Sequence, residues 1–477
     1  MNPLSSRPAR RWPVVVTVLL GTLAVSLNNT ALNPAIPEFM AVFGIGAVPA
    51  SWIITGFMLS MGMTMPVTAY LSHRFGKRTV YLCGLALFIG GSCIGALAPS
   101  MPWVIAARIV QGVAGGLMIP LSLALIFEVY PKGERGKITG VWGMAVMLAP
   151  AVGPVVGGLL VQFFDWHALF VMNIPTGVIG GVIGMYCLPA PSDNKPQRFD
   201  WPGFVLVTLG VGTLLVTLSR LTDKAALTDP VNIALLIAAL ACLALFVRVE
   251  LGKAQPLLNL RIFAIRSYGL SVVVVVAQSV GMFGCIVLLP LLMQSVLGYG
   301  ATWTGLALFA TAVCSGMFAK LGGTLLDTQG PRAVVTAGLL FSAVSTIAFG
   351  FINDQSALWM IFVLMMARGV GLGLSYIPVT TAGLNAIPEQ LVTEGAAMNN
   401  ILRRVSASVA IVLVSLYFEI RRTQLGSEGV AAASASVTAI NELFIAIGLL
   451  ILFTLPLALL LPRIDRFAQQ QQTAGSL

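Results

Sequence analysis

The feature that most constrains this chain is a run of about twenty apolar residues, broken by a short polar stretch, that recurs from residue 13 to residue 461. A helix rises about 1.5 Å per residue, so about 20 residues cover the roughly 30 Å hydrocarbon layer of a bilayer. By that ruler spans fall near 13–35, 48–69, 79–98, 103–128, 139–162, 169–189, 202–219 and 231–249, then near 267–293, 302–322, 335–352, 357–384, 396–421 and 437–461. Lipid offers the backbone no hydrogen-bond partners, so each run must satisfy its own amides as a helix. The expected fold is all-α and polytopic, with about fourteen spans. Charge content agrees: 9% of residues are charged, against about 25% in soluble domains, too few to clothe a soluble surface of this size.

The net charge of +10 invites a nucleic-acid reading, but its distribution excludes one. The basic residues sit in alternate loops: Arg74, Lys77 and Arg78; Lys132, Arg135 and Lys137; Lys195 and Arg198; Lys253, Arg261 and Arg266. Arg463 and Arg466 follow in the C-terminal tail, and the other loops hold little beyond Arg220, Lys224, Arg421 and Arg422. Basic loops stay on the cytoplasmic side, so the pattern predicts a multi-pass protein of the cell (inner) membrane with both termini cytoplasmic. The first run follows Arg7, Arg10 and Arg11 and has no small-residue cleavage site after a short core, so it reads as a span rather than a signal peptide.

Six cysteines lie in or beside apolar runs at no metal-binding spacing, and His73 and His167 are the two histidines. No metal or cofactor is expected. The sequence has no G-x-x-x-x-G-K-[ST] phosphate loop and no nucleophile–base set, which argues against an ATP-driven pump and against an enzyme.

Residues 69–78, AYLSHRFGKR, are echoed by residues 323–332, GTLLDTQGPR, with Leu71 matching Leu325, Gly76 matching Gly330 and Arg78 matching Arg332. Ala107-Arg108-Ile109-Val110 is echoed by Ala367-Arg368-Gly369-Val370, and both runs reach a proline, Pro120 or Pro378. Duplicated halves around a midplane site are a common transporter plan. The expected division is a six-span bundle over 1–189, two extra linker spans over 190–266, and a second six-span bundle with a short tail over 267–477.

Within this frame four local signals stand out. In Ala149-Pro-Ala-Val-Gly-Pro-Val-Val-Gly-Gly158, Pro150 and Pro154 share one helical face, as do Gly153 and Gly157. Such a helix is bent and admits a close neighbour. It reads either as packing alone or as a gating helix between the halves. Arg108 lies inside an apolar run, where a lone charge costs about 2.5–3.5 kcal/mol on insertion scales; Gln111, Gly112 and Gly115 follow on its face, which either lines a cavity or packs a partner. Asn28, Asn29, Thr30 and Asn33 give the first span a polar stretch that fits cavity lining or interhelical hydrogen bonding. His73, Arg74, Gly76 and Arg78, with Asp327 and Arg332 in the echo, read as an ordinary basic loop or as a conformational latch on the cytoplasmic side.

Together these stretches resemble the major facilitator superfamily, in its fourteen-span drug:proton antiporter branch, over essentially the whole chain. Tyr70 to Arg78 resembles the family's loop motif, Arg108 to Gly116 its fourth-span motif, Gly153-Pro154 to Gly158 its antiporter motif, and Leu27 to Pro37 the first-span motif of the branch. Asp165-Trp166-His167 to Asn173-Ile174-Pro175, and Pro290 to Gly298, resemble further stretches typical of it. The resemblance implies a secondary exporter of amphipathic or lipophilic small molecules, a multidrug efflux protein coupled to protons by alternating access. The alternatives are a dedicated exporter of one metabolite or lipid and a non-transporting membrane sensor. Efflux partners in the periplasm or outer membrane are left open. Two residues depart from the family pattern: histidine stands at His73 and asparagine at Asn28, where aspartates are usual. An amide does not titrate, so the first-span proton carrier has to be another group, with Glu38 the leading candidate and Glu128 the next.

Overall fold

The computed structural model describes residues 11–189, 199–221, 224–253, 256–353 and 356–462. Arg7, Arg10, Lys195, Arg198, Arg463 and Arg466 lie outside the described residues. Fourteen of the described helices are long and apolar enough to cross a membrane. We number them α1 (Arg11–Ala31), α2 (Ala47–Phe75), α3 (Lys77–Ala96), α4 (Met101–Val129), α5 (Arg135–Phe163), α6 (Asn173–Cys187, whose span begins with the short helix Ala168–Val171) and α7 (Trp201–Arg220). The rest are α8 (Pro230–Gly252), α9 (Arg266–Pro290), α10 (Ala301–Gln329), α11 (Pro331–Phe349), α12 (Leu358–Asn385), α13 (Val392–Ser427) and α14 (Ala432–Phe453). The all-α, fourteen-span expectation holds.

Several helices outrun the apolar runs that announce them. The clearest is α13, whose 36 residues reach about 54 Å by helical rise. Its first turns carry Glu394, Asn399 and Asn400, all buried. A hydropathy ruler stops at such residues, whereas the chain continues helically because neighbouring helices cover them.

Helix packing repeats itself. α1 packs on α5 and α6, α2 on α4, and α3 on α4 and α6; α9 packs on α13 and α14, α10 on α12, and α11 on α12 and α14. Two seams join these groups, α5 with α10 and α2 with α13. The hairpin α7–α8 pairs with itself and lays α7 over the second seam, against both α2 and α13.

The first seam is close because it lacks side chains. A Cβ on Gly136 would stand 2.3 Å from the Gly323 carbonyl oxygen, and one on Gly140 would stand 2.7 Å from that of Ala319. α2 and α10 both end on a glycine in the left-handed region, Gly76 at φ 84° and Gly330 at φ 79°, where a Cβ is disfavoured. The echoed loops therefore share a turn as well as a sequence.

Candidate transport cavity and its gates

Arg108 is fully buried in α4. Its Nε donates to the Ile53 carbonyl of α2 at 2.9 Å, and its Nη1 donates to Gln111 Oε1 at 2.9 Å. The guanidinium carbon lies 4.2 Å from the Phe57 ring centroid. Gln111 Nε2 in turn donates to Ser92 Oγ of α3 at 3.0 Å. Asn28 Nδ2 donates to Gln111 Oε1 at 3.1 Å, and Asn173 Nδ2 of α6 donates to Asn28 Oδ1 at 3.0 Å. The network ties α1, α2, α3, α4 and α6 together through neutral partners, and among the described residues no carboxylate pairs with Arg108. Charged hydrogen bonds and the aromatic face offset the cost of burying it. Gly112 makes the geometry possible: its Cβ would meet Ser60 Oγ at 2.0 Å and the Phe57 carbonyl at 2.4 Å, so α2 comes near enough for a backbone oxygen to reach the arginine.

The second half is more sparsely bonded. Arg368 donates to the Gly281 carbonyl at 2.7 Å, and Gln278 donates to Ser375 Oγ at 2.6 Å and accepts from Ser342 Oγ at 3.4 Å.

Between the halves lies a cavity of about 210 Å³. Part of its lining pairs off at one constant spacing along the chain. Val25 and Ser26 of α1 face Met282 and Phe283 of α9, and Ile119 of α4 answers Tyr376 of α12. Val146, Met147 and Pro150 of α5 answer Arg403, Arg404 and Ala407 of α13. Trp142, Phe57 and Leu215 of α7 complete much of the apolar wall. Of the three first-span asparagines, Asn29 lines the cavity, Asn28 belongs to the buried network, and Asn33 is exposed in the turn that follows α1. Sequence reasoning passed over Arg403 and Arg404. The signal was present, since two adjacent charges inside a predicted span cost more than the single Arg108 that drew notice.

The end of the molecule that carries the basic loops is sealed across both seams. At α5–α10, Asp327 accepts from the backbone N–H of Gly136 at 2.8 Å and of Lys137 at 2.7 Å. Beside it Arg135 pairs with Glu389 at 2.7 Å and donates to Asn385 at 3.3 Å, while Thr139 and Thr381 share a hydrogen bond of 2.9 Å. At α2–α13, His73 faces Glu394 at 3.9 Å, and Glu394 also accepts from the Asn259 N–H at 2.8 Å, which ties the segment after α8 to the seam. Among the described residues the polar contacts between the halves lie at this end, apart from Arg404 against the Met61 sulfur at the cavity.

The other candidate residues stand as follows. Arg74 donates to Tyr70 Oη at 2.8 Å and Arg78 to the Met185 carbonyl, both within the first half. Arg332 lies in the first turn of α11. Lys77 pairs with Glu128 at 3.2 Å, with both side chains about a third exposed. Glu38, in the short helix Ile36–Phe43, has a buried Oε2 with no hydrogen-bond partner. Gly153 and Gly157 meet α1 of their own half, where a Cβ would lie 2.0 Å from Thr30 Oγ1 and 1.9 Å from the Ala31 carbonyl. The reading that this face meets the other half is corrected: Gly136 and Gly140, nearer the start of α5, do that. Pro154 is half-buried beside them, and Gly158 has open space where its Cβ would be.

Relatives match this chain in sequence over most of their length. The uncharacterized MFS-type transporter YcnB of Bacillus subtilis is 30% identical over 98% of both chains. Lincomycin resistance protein LmrB of the same organism is 29% identical over 85% of both. Among solved structures, a double-tryptophan variant of XylE superposes with a TM-score of 0.68 at 15% identity, covering 98% of this chain and 99% of that one. The family profile of the Major Facilitator Superfamily matches residues 18–411, and with two repeated helix groups meeting at a central cavity, the chain belongs to that superfamily.

Proposed function

We propose that this chain is a secondary exporter of amphipathic small molecules, working by alternating access and driven by inward proton movement. The observation that carries the reading is the cavity: both halves line it, and polar contacts between the halves gather at one end. That is the arrangement expected of a transporter open to one side at a time. On this reading residues 1–189 and 267–477 are the two moving units and 190–266 the linker spans. The basic end faces the cytoplasm of the inner membrane, with both termini on that side, and the conformation is outward-facing. Relatives named for lincomycin and multidrug resistance support efflux as the direction.

Arg108, Gln111 and Gly112 hold the first half rigid, with Arg368 their counterpart in the second. Asp327, His73 and the neighbouring Arg74, Gly76, Arg78 and Arg332 form the cytoplasmic latch. Gly153, Pro154, Gly157 and Gly158 let α1 and α5 move as one piece. Among the described residues no acidic side chain lines the cavity, so the proton carrier stands elsewhere. Glu38, with its unpartnered buried oxygen, is the first candidate, and Glu128 the second.

The test is accumulation of toxic amphiphiles in inside-out vesicles. Accumulation should follow an imposed acid interior and collapse with a protonophore, and Glu38→Gln should uncouple it. Accumulation indifferent to both the proton gradient and the membrane potential would remove the antiport reading. An unaffected Glu38→Gln would move the carrier to Glu128. Export confined to one compound among many unrelated ones would favour a dedicated exporter.

A further inference from the structure

The matched positions of the cavity wall are chemically unequal. Where α5 presents Val146 and Met147, α13 presents Arg403 and Arg404. Arg403 donates to Tyr376 Oη at 3.4 Å and to Asn400 Oδ1 at 3.0 Å. Arg404 rests a terminal nitrogen on the Met61 sulfur, and its Nε is buried with no partner. Neither arginine forms an ion pair among the described residues. Asn29 Oδ1, at the cavity, and both amide atoms of Asn399, in a small adjoining void that Arg403 and Trp142 also line, are likewise buried without partners. The wall thus holds two cations whose donors outnumber the acceptors around them, and no acid.

We infer that this cavity recognises organic anions: an aromatic or aliphatic body carrying a carboxylate, sulfonate or similar group that docks on Arg403 and Arg404. The inference rests on the export reading above and sharpens it by naming a substrate class. A planar guanidinium fork matches such oxyanions two oxygens at a time, and the apolar, low-dielectric walls beside it strengthen the attraction. Phe57, Trp142 and Phe283 supply flat apolar surface for the body, and Met58, Met61, Met147 and Met282 adapt to its shape. A cavity of about 210 Å³ suits a body of one or two rings. The same wall disfavours organic cations, which would meet two uncompensated positive charges.

Purified full-length protein in vesicles of zwitterionic lipid would be titrated with three probes of one body: 1-naphthalenesulfonate, 1-naphthol and a 1-naphthylmethyl trimethylammonium salt. The anion should bind at least about tenfold more tightly than the cation. Arg403→Gln and Arg404→Gln should each weaken anion binding about tenfold while leaving naphthol binding and thermal stability unchanged. Arg404→Lys should keep part of the anion affinity. Equal binding of anion and cation, anion binding that survives both glutamine variants, or no binding of any probe would overturn the inference. Loss of anion binding on adding phosphatidylglycerol to the vesicles would assign the arginines to lipid headgroups and overturn it too. Transport assayed on the same vesicles separates the two readings. Anion binding without transport would sink export and leave the anion site standing, whereas transport with no preference for anions would do the reverse.

Discussion

The two seams between the halves are made from matching helix ends, yet they are closed by different chemistry. At α5–α10 a carboxylate, Asp327, accepts two backbone N–H groups at the start of α5; an anion there is favoured by the amides and by the helix dipole together. At α2–α13 the matching position holds His73, and the acid has moved to the facing helix as Glu394. The first seam is also the one stripped to glycine, with Gly136 against Gly323, while the second is overlain by α7. One seam therefore closes by backbone contact and by a carboxylate set on the amides that start α5. The other closes by the contact between His73 and Glu394 and is linked through Asn259 to the segment following the extra helices. The same inequality runs through the buried networks, dense around Arg108 and sparse around Arg368. It teaches that duplication conserved the packing of the halves and left their polar chemistry free to diverge.

The largest effect should come from the dense network. Arg108→Ala takes the guanidinium donors away from the Ile53 carbonyl and from Gln111 Oε1, which keeps only Asn28 Nδ2; a buried polar group left unsatisfied costs about 1–3 kcal/mol. Substrate accumulation in inside-out vesicles should be abolished, and Arg108→Lys should restore little because it lacks the fork. Arg368→Ala, which removes one recorded carbonyl contact, should leave measurable transport. Equal loss in both would erase the contrast between the halves.

Next in size is the glycine seam. Gly136→Leu cannot be accommodated against Gly323 and should prevent closure of the basic end. In a cysteine-free background, Ser408→Cys at the cavity should then react more slowly with an impermeant thiol reagent added from the outer side. Unchanged labelling would mean that the seam opens without cost.

A smaller effect separates the two latches. Asp327→Asn keeps the shape but loses the charge facing the α5 amides, worth about 0.3–1 kcal/mol and up to about 2 where partly buried, so transport should fall several-fold. His73→Asp sets a second carboxylate beside Glu394. It should reduce transport by itself, and Glu394→Gln in the same chain should recover it; if that double variant recovers nothing, the His73–Glu394 contact is not a latch.

The smallest effect belongs to the partly exposed Lys77–Glu128 pair, worth about 0–1 kcal/mol. Glu128→Gln should keep transport within about twofold of wild type, and a larger loss would give Glu128 a role in proton movement.

Much of this molecule was legible without coordinates because bilayer physics is one-dimensional. An unsatisfied backbone in lipid forces each apolar run into a helix, so the fourteen spans and their approximate limits followed from run length. Arg108 was visible because a charge in an apolar run is expensive wherever it points. What a linear reading could not supply was direction around each helix. Gly153 and Gly157 announce a close approach but not to whom, and the partner turned out to be α1. Asn28, Asn29 and Asn33 look alike in sequence, yet they fall respectively into a buried network, the cavity and the surface, because rotation about the axis and the end of α1 decide what each one meets. Arg403 and Arg404 stand out in sequence as charges inside an apolar run, but only the fold puts them on a cavity that Val146 and Met147 also line. Composition and periodicity determine that a segment crosses the membrane; which of its faces sees substrate, a sister helix or lipid depends on close packing of the two halves, a relation between distant residues decided in three dimensions.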